Sequence, residues 1–213
     1  MPMRLRGFDR RMFSMLMTLA SLGLQLGLAQ SVAPKPVPMA RYSDPDGDVS
    51  FEYPAVWSID KGRKFYLSPQ ILQGDRVPRM QVIFSPAGNY YAKTNLLGLD
   101  FVYVKEQAPS AEACTRLAMG DTPTQPTSVS MNGVPFLHFD QADAGMCHGI
   151  DQHVYWTYRQ SAGGGACYLF EEDMHTSCSG AYPGQRDLTE REKRALNRHL
   201  NAIPQSIQFS KPK

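Results

Sequence analysis

The chain has 213 residues, 42% of them hydrophobic and 20% charged, with four cysteines and a formal charge of +2. That length suits one compact domain able to bury a sizeable core. Charge this near balance excludes the long-range positive field that carries proteins onto phosphate backbones or anionic lipid, so neither nucleic-acid binding nor charge-driven membrane binding is expected.

Residues 1–29 read as an export signal. Arg4, Arg6, Arg10 and Arg11 form a basic start, Met12 to Ala29 is an apolar run, and Gly27, Leu28 and Ala29 offer a small-x-small cleavage site before Gln30. The alternative is an uncleaved anchor, since eighteen residues approach the roughly twenty that span a bilayer; Gln25 and the scattered Ser, Thr and Gly argue for release. In that reading the membrane is met only through this segment. Its removal takes away four arginines and Asp9, leaving 18 basic and 19 acidic residues and a formal charge of −1. The destination is extracytoplasmic, periplasmic or secreted.

Residues 30–43 read as a spacer, because Pro34, Pro36 and Pro38 at alternate positions favour extended polyproline II backbone. The folded domain is expected over 44–213. Asp44, Pro45, Asp46, Gly47 and Asp48 make an acidic turn whose spacing does not fit a twelve-residue calcium loop. Strands are expected at Val49 to Tyr53, Phe65 to Leu67 and Met80 to Phe84. Asn95 to Gln107 fits a helix by its leucines and a strand by the aromatic and β-branched Phe101 to Val104. Ser110 can cap a short helix through Cys114, Leu117 and Met119.

Asn132 and Gly133 suit a type I′ hairpin between Ser128 to Met131 and Val134 to Asp140. Two more strands follow, Gly149 to Arg159 and Ala166 to Met174, joined by a turn at Gly163, Gly164 and Gly165. Thr189 with Glu192 forms a capping box for a helix whose apolar face runs from Leu188 through Leu196 and Leu200 to Ile203, where Pro204 stops it. A short strand, Ser206 to Phe209, closes the domain.

An even cysteine count in an exported chain points to two disulfides. If the glycine turn centres near Gly163, facing residues of that hairpin have numbers summing to about 326. Cys147 and Cys178 come close to this rule, and the remaining pair is Cys114 with Cys167, tying the short helix to the sheet.

Candidate chemistry is sparse. His138, Asp140, Cys147, His148, His153, His175 and Cys178 are the densest set of metal-ligating types, but there is no C-x-x-C or H-E-x-x-H, and oxidation competes for the cysteines. No cofactor loop or nucleophile elbow is present, and Cys147 and His148, as strand neighbours, would point to opposite faces. Glu171 and Asp173 would share a strand face about 7 Å apart, a separation an acid and a base can use, although a carboxylate run also suits an exposed or edge strand. Arg191, Arg194 and Arg198 form a basic helical stripe, for an anionic or protein partner or simply a solvated face. Tyr155, Trp156, Tyr158, Tyr168 and Phe170 suit a ligand platform or, more simply, core.

The segment Val49-Ser50-Phe51-Glu52-Tyr53-Pro54-Ala55-Val56-Trp57, a strand ending in Tyr-Pro with a Trp three residues on, resembles the opening of domains in the PsbP-like superfamily. The helix Thr189 to Ala202 with Ile203, Ser206, Ile207 and Phe209 is similar to their closing helix and strand. The resemblance implies an α+β fold, an antiparallel sheet with flanking helices, and no catalytic residues.

The reading as a whole is an exported α+β domain stapled by two disulfides. It is a non-enzymatic binding or envelope-associated module for an unknown protein or small-molecule ligand. The competing reading is a hydrolase or metal-binding protein built on the His138/His153 or Glu171/Asp173 region.

Overall fold

Strand β1 (Met39–Ser43) opens the fold as the edge of a three-stranded antiparallel sheet, pairing with β2 (Val49–Pro54), which in turn pairs with β10 (Gln208–Phe209). The computed structural model describes residues 37–60, 78–85, 90–119, 125–144, 150–159, 165–178, 180 and 183–210. The segment read as an export signal, the strand expected at Phe65 to Leu67, Cys147, His148, Gly163 and Gly164 lie outside these residues. So do the side chains of residues 141–144 and 150–159. The spacer read over 30–43 gives way to strand at Met39, one residue after the last proline, because an edge strand needs ladder hydrogen bonds on one side only.

The second sheet has seven strands in the order β3-β4-β5-β9-β8-β7-β6. They are β3 (Ser58–Asp60), β4 (Met80–Phe84), β5 (Leu96–Gln107), β6 (Thr127–Met131), β7 (Val134–Ala144), β8 (Ile150–Arg159) and β9 (Ala166–Thr176). Every pairing is antiparallel. The segment that fitted helix or strand is β5, where Phe101 to Val104 pack at their best on a pleated surface.

Local chemistry accounts for the turns. Asp46 N–H donates to Asp44 Oδ1 and Gly47 N–H to Asp44 O, with Gly47 at φ 77°, which makes 44–48 a turn held by its own aspartate. Asn132 and Gly133 both take positive φ, 51° and 78°, as a type I′ turn requires. The β8–β9 register runs from Asp151 opposite His175 to Arg159 opposite Cys167, each pair summing to 326.

Two α-helices among the described residues complete the α+β fold. In α1 (Ala111–Met119) the Ser110 Oγ accepts from Ala113 N–H. In α2 (Glu190–Gln205) the Thr189 side chain accepts from Glu192 N–H and the Glu192 carboxylate accepts from Thr189 N–H. Pro204 lies in the last turn of α2, where few ladder bonds remain to be lost, so the helix runs on to Gln205 and the closing strand shrinks to two residues.

The main core lies between the two sheets and under α2. Alternate residues of β2, Val49, Phe51 and Tyr53, meet Met80, Val82, Leu99, Phe101, Tyr103, Tyr168 and Phe170 of the large sheet, with Leu196, Leu200 and Ile203 from α2. The Phe51 ring sits 5.1 Å from Phe101 and 6.3 Å from Phe170, edge to face. Lys105 ties the acidic turn to the large sheet, its Nζ 2.7 Å from Asp46 Oδ2 and bonded also to Asp48, while Tyr168 OH donates to Asp48 at 3.1 Å.

Candidate functional site

On the other face of the large sheet, the period of two along β9 brings Cys167, Leu169, Glu171, Asp173 and His175 to one side. The β5–β9 register places Val104 opposite Leu169, Val102 opposite Glu171 and Asp100 opposite Asp173. From β4, Gln81 joins this face, its Nε2 donating to Asp100 Oδ1 at 3.2 Å. His175 Nε2 lies 3.3 Å from Asp100 Oδ2.

These groups are sealed. Asp100 is 1% exposed, Glu171 and Asp173 0%, and His175 7%. Burial pushes the Asp100 carboxyl above its ordinary range, a shift moderated by the close approach of His175 and the hydrogen bond from Gln81. The edge-strand reading of the carboxylate run is therefore overturned: β9 is a central strand with a neighbour on each side, and all three carboxylates are buried. Glu172 faces the opposite way, toward α2, where the Asn201 amide is placed to donate to its Oε2 at 2.7 Å. Asp100 and Gln81 escaped the sequence reading. The available signal was a single charge inside the apolar run Leu96 to Val104, a pattern that marks a buried, partnered group.

For the expected histidine site, only His138, His175 and the backbone position of His153 are described. His138 lies near Asp140, Nε2 to Oδ1 3.6 Å, and near the Thr127 hydroxyl. His153 pairs in register with Gln141 and Asp173, and Gln141 is three residues from His138, a position of opposite parity on β7. The register thus separates the two histidines that a joint metal site would need. Among the described residues, no three His, Cys, Asp or Glu side chains are grouped to hold a metal ion.

Cys114 and Cys167 are joined in a disulfide with their Cα atoms 5.5 Å apart, fastening α1 to β9. It is the one disulfide seen among the described residues; the Cys147 to Cys178 pairing rests on Cys147, which lies outside them. Tyr168 and Phe170 belong to the core, Phe170 stacked on Tyr103 at 5.1 Å, and do not form a surface platform. For Tyr155, Trp156 and Tyr158 only the backbone register is described.

The surface features clustered near the start of α2 are of another kind. A hollow of about 600 Å³ is lined by Tyr91, Arg186, Thr189, Arg191, Glu192 and Ala195, and a second of about 400 Å³ by Ala92, Lys93 and the segment 183–185. The 3₁₀ turn Tyr90–Lys93 contributes to both. Arg186 grips the Glu192 carboxylate at two points, 2.7 and 2.8 Å, so Glu192 is neutralised within the wall. Among the described residues, Arg191 and Lys93 have no carboxylate partner, which leaves the described lining cationic. Arg191 was legible in the basic stripe; Tyr91 and Lys93 carried no signal, since they lie about a hundred residues earlier in the chain, and Arg186 was not singled out.

No protein-family model matches the sequence. No curated protein matches it either. Among solved structures, the chain is similar to the solution structure of the cyanobacterial PsbP (CyanoP) of Synechocystis, at 11% identity and a TM-score of 0.42, over 87% of this chain and 99% of that one. It is also similar to LpqN of Mycobacterium tuberculosis, described as involved in cell envelope biogenesis, at 9% identity and a TM-score of 0.46, over 82% and 91% of the two chains.

Proposed function

We propose that the protein is an exported, non-enzymatic binding module whose ligand surface is formed by the two cationic hollows near the start of α2. The observation that carries this reading is the contrast in access: Asp100, Glu171, Asp173 and His175, the carboxylates and histidine gathered on one face of the large sheet, are buried, whereas Arg191, Arg186, Lys93 and Tyr91 line open hollows. A general acid or base must reach its substrate within hydrogen-bond distance, directly or through one water. Glu171 and Asp173, with no exposed surface, offer no such approach. Export is part of the proposal and is supported by residues 1–29 and by a disulfide, a bond that persists in oxidising compartments.

The ligand is anionic, a carboxylate-bearing peptide or small molecule, because Arg191, beside Tyr91 in the first hollow, and Lys93 in the second have no carboxylate partner among the described residues. Isothermal titration of the protein with a hexaglutamate peptide tests this. Binding that Arg191→Glu and Lys93→Glu each weaken about tenfold or more is expected. Equal binding of hexaglutamate and hexalysine, or no response to either substitution, would reject the hollows as the site.

A further inference from the structure

Strand β6 ends the large sheet, and no strand or backbone group among the described residues pairs with its outer side. Natural sheet edges are usually blocked by charge, proline, a bulge or shortness. The other described edges follow that rule: β1 carries Arg41 at its centre, β3 has three residues ending in Asp60, and β10 has two. In contrast, β6 reads Thr-Ser-Val-Ser-Met, five residues with no charge and no proline.

The hairpin geometry says which groups face outward. A two-residue turn closes on Met131 opposite Val134 as a hydrogen-bonded pair, and pair types then alternate, so Thr127, Val129 and Met131 bond to β7. Ser128 and Ser130 present their N–H and C=O to the outside. Pro135 fits this phase, since it stands opposite Ser130, where no ladder bond to β6 is made.

We propose that β6 is a self-association edge at which a second copy of this chain pairs antiparallel about a two-fold axis at Val129. In that register Ser128 meets Ser130 of the other copy as a hydrogen-bonded pair, Val129 meets its own counterpart, and Thr127 meets Met131. Every outward N–H and C=O of Ser128 and Ser130 is thereby satisfied, in four interchain bonds. The segment is self-complementary, with serine on both sides of Val129 and no like charges opposed, as an isologous contact requires. Met131 is buried and Val129 half-buried at the rim of the main core, so pairing continues that core across the axis. A formal charge near −1 after signal removal adds little repulsion between copies. A contact one short strand long is smaller than a standard interface, so the dimer is weak, with Kd on the order of 10–100 μM.

Sedimentation equilibrium of the exported protein from about 1 μM to about 1 mM reads this directly. The mass is expected to double with concentration, and Ser130→Pro, which removes an outward N–H that β7 does not use, weakens the dimer at least tenfold. Ser128→Lys with Ser130→Lys sets lysines opposite each other and does the same, which keeps the test valid should the proline variant fold poorly. Val129→Cys places two thiols face to face and gives a covalent dimer on oxidation. A chain that stays monomeric to about 1 mM overturns the proposal, whether or not it takes up an added extended peptide. So does a dimer that survives both the proline and the lysine substitutions, or a Val129→Cys variant that fails to cross-link.

Discussion

His175 and Asp100 face each other from adjacent central strands, Nε2 to Oδ2 3.3 Å, with almost no exposure to solvent. Burial raises the Asp100 carboxyl above its ordinary 3.8, so the folded state binds a proton that the unfolded state releases. In the window from that ordinary value up to the folded one, stability therefore falls as pH rises. Asp100→Asn keeps an acceptor for Gln81 and cannot ionise, so its thermal midpoint should gain on that of wild type as pH climbs through this window. A wild type that gains on the variant with rising pH would mean the ionised pair with His175 outweighs burial.

Lys105 holds the acidic turn through Asp46 and Asp48. Burial alone would lower its pKa, but the hydrogen bonds it donates to the two aspartates outweigh this and hold the ammonium above its ordinary value. Because both aspartates are nearly half exposed, Lys105→Met should cost only about 1–2 kcal/mol in urea unfolding. The wild type should lose more of its advantage in salt than the variant does, and equal salt dependence would discount the charge pairing.

The Cys114–Cys167 bond spans 53 residues of sequence. Replacing both cysteines by serine should lower stability by about 2–4 kcal/mol. Reducing the wild type reports on Cys178 as well. If reduction costs clearly more than the double substitution, a second bond is being broken, and the mass of the alkylated protein counts it.

Asn132 combines a left-handed backbone with a side chain whose Nδ2 donates to the carbonyls of Gln205 and Ile207, both at 2.9 Å. Asn132→Gly keeps the turn and loses the two bonds, and Asn132→Ala loses both. The expected costs are about 1 and about 2 kcal/mol by chemical denaturation. Equal costs would assign the whole effect to the side-chain bonds.

Where the chain's neighbours are local, the sequence was readable. The hairpin at Asn132-Gly133, the register about Gly163 and the capping box at Thr189 each follow from a few adjacent residues whose backbone chemistry admits one solution. The carboxylate run was misread for the opposite reason. Glu171 and Asp173 are enclosed by a sheet whose neighbouring strand β5 lies some seventy residues earlier, and nothing within β9 itself announces that cover. The same holds for the hollow, where Tyr91 and Lys93 meet Arg186 and Arg191 only after the isolated bridge between Thr94 and Arg186 has formed. Met39–Ser43 was obscured by the prolines before it, whose stiffness says nothing of the residue after the last one.

The bond between Cys114 and Cys167 also constrains how the molecule matures. In order of synthesis Cys147 comes between them, so the finished protein links the first thiol to the third. If the chain is exported as proposed, an oxidase acting on it as it threads out of a translocation pore would join Cys114 to Cys147 first. Reaching the native linkage then takes thiolate attack on that early bridge and a shuffled partner, which makes a disulfide isomerase a natural helper in the biogenesis of this domain.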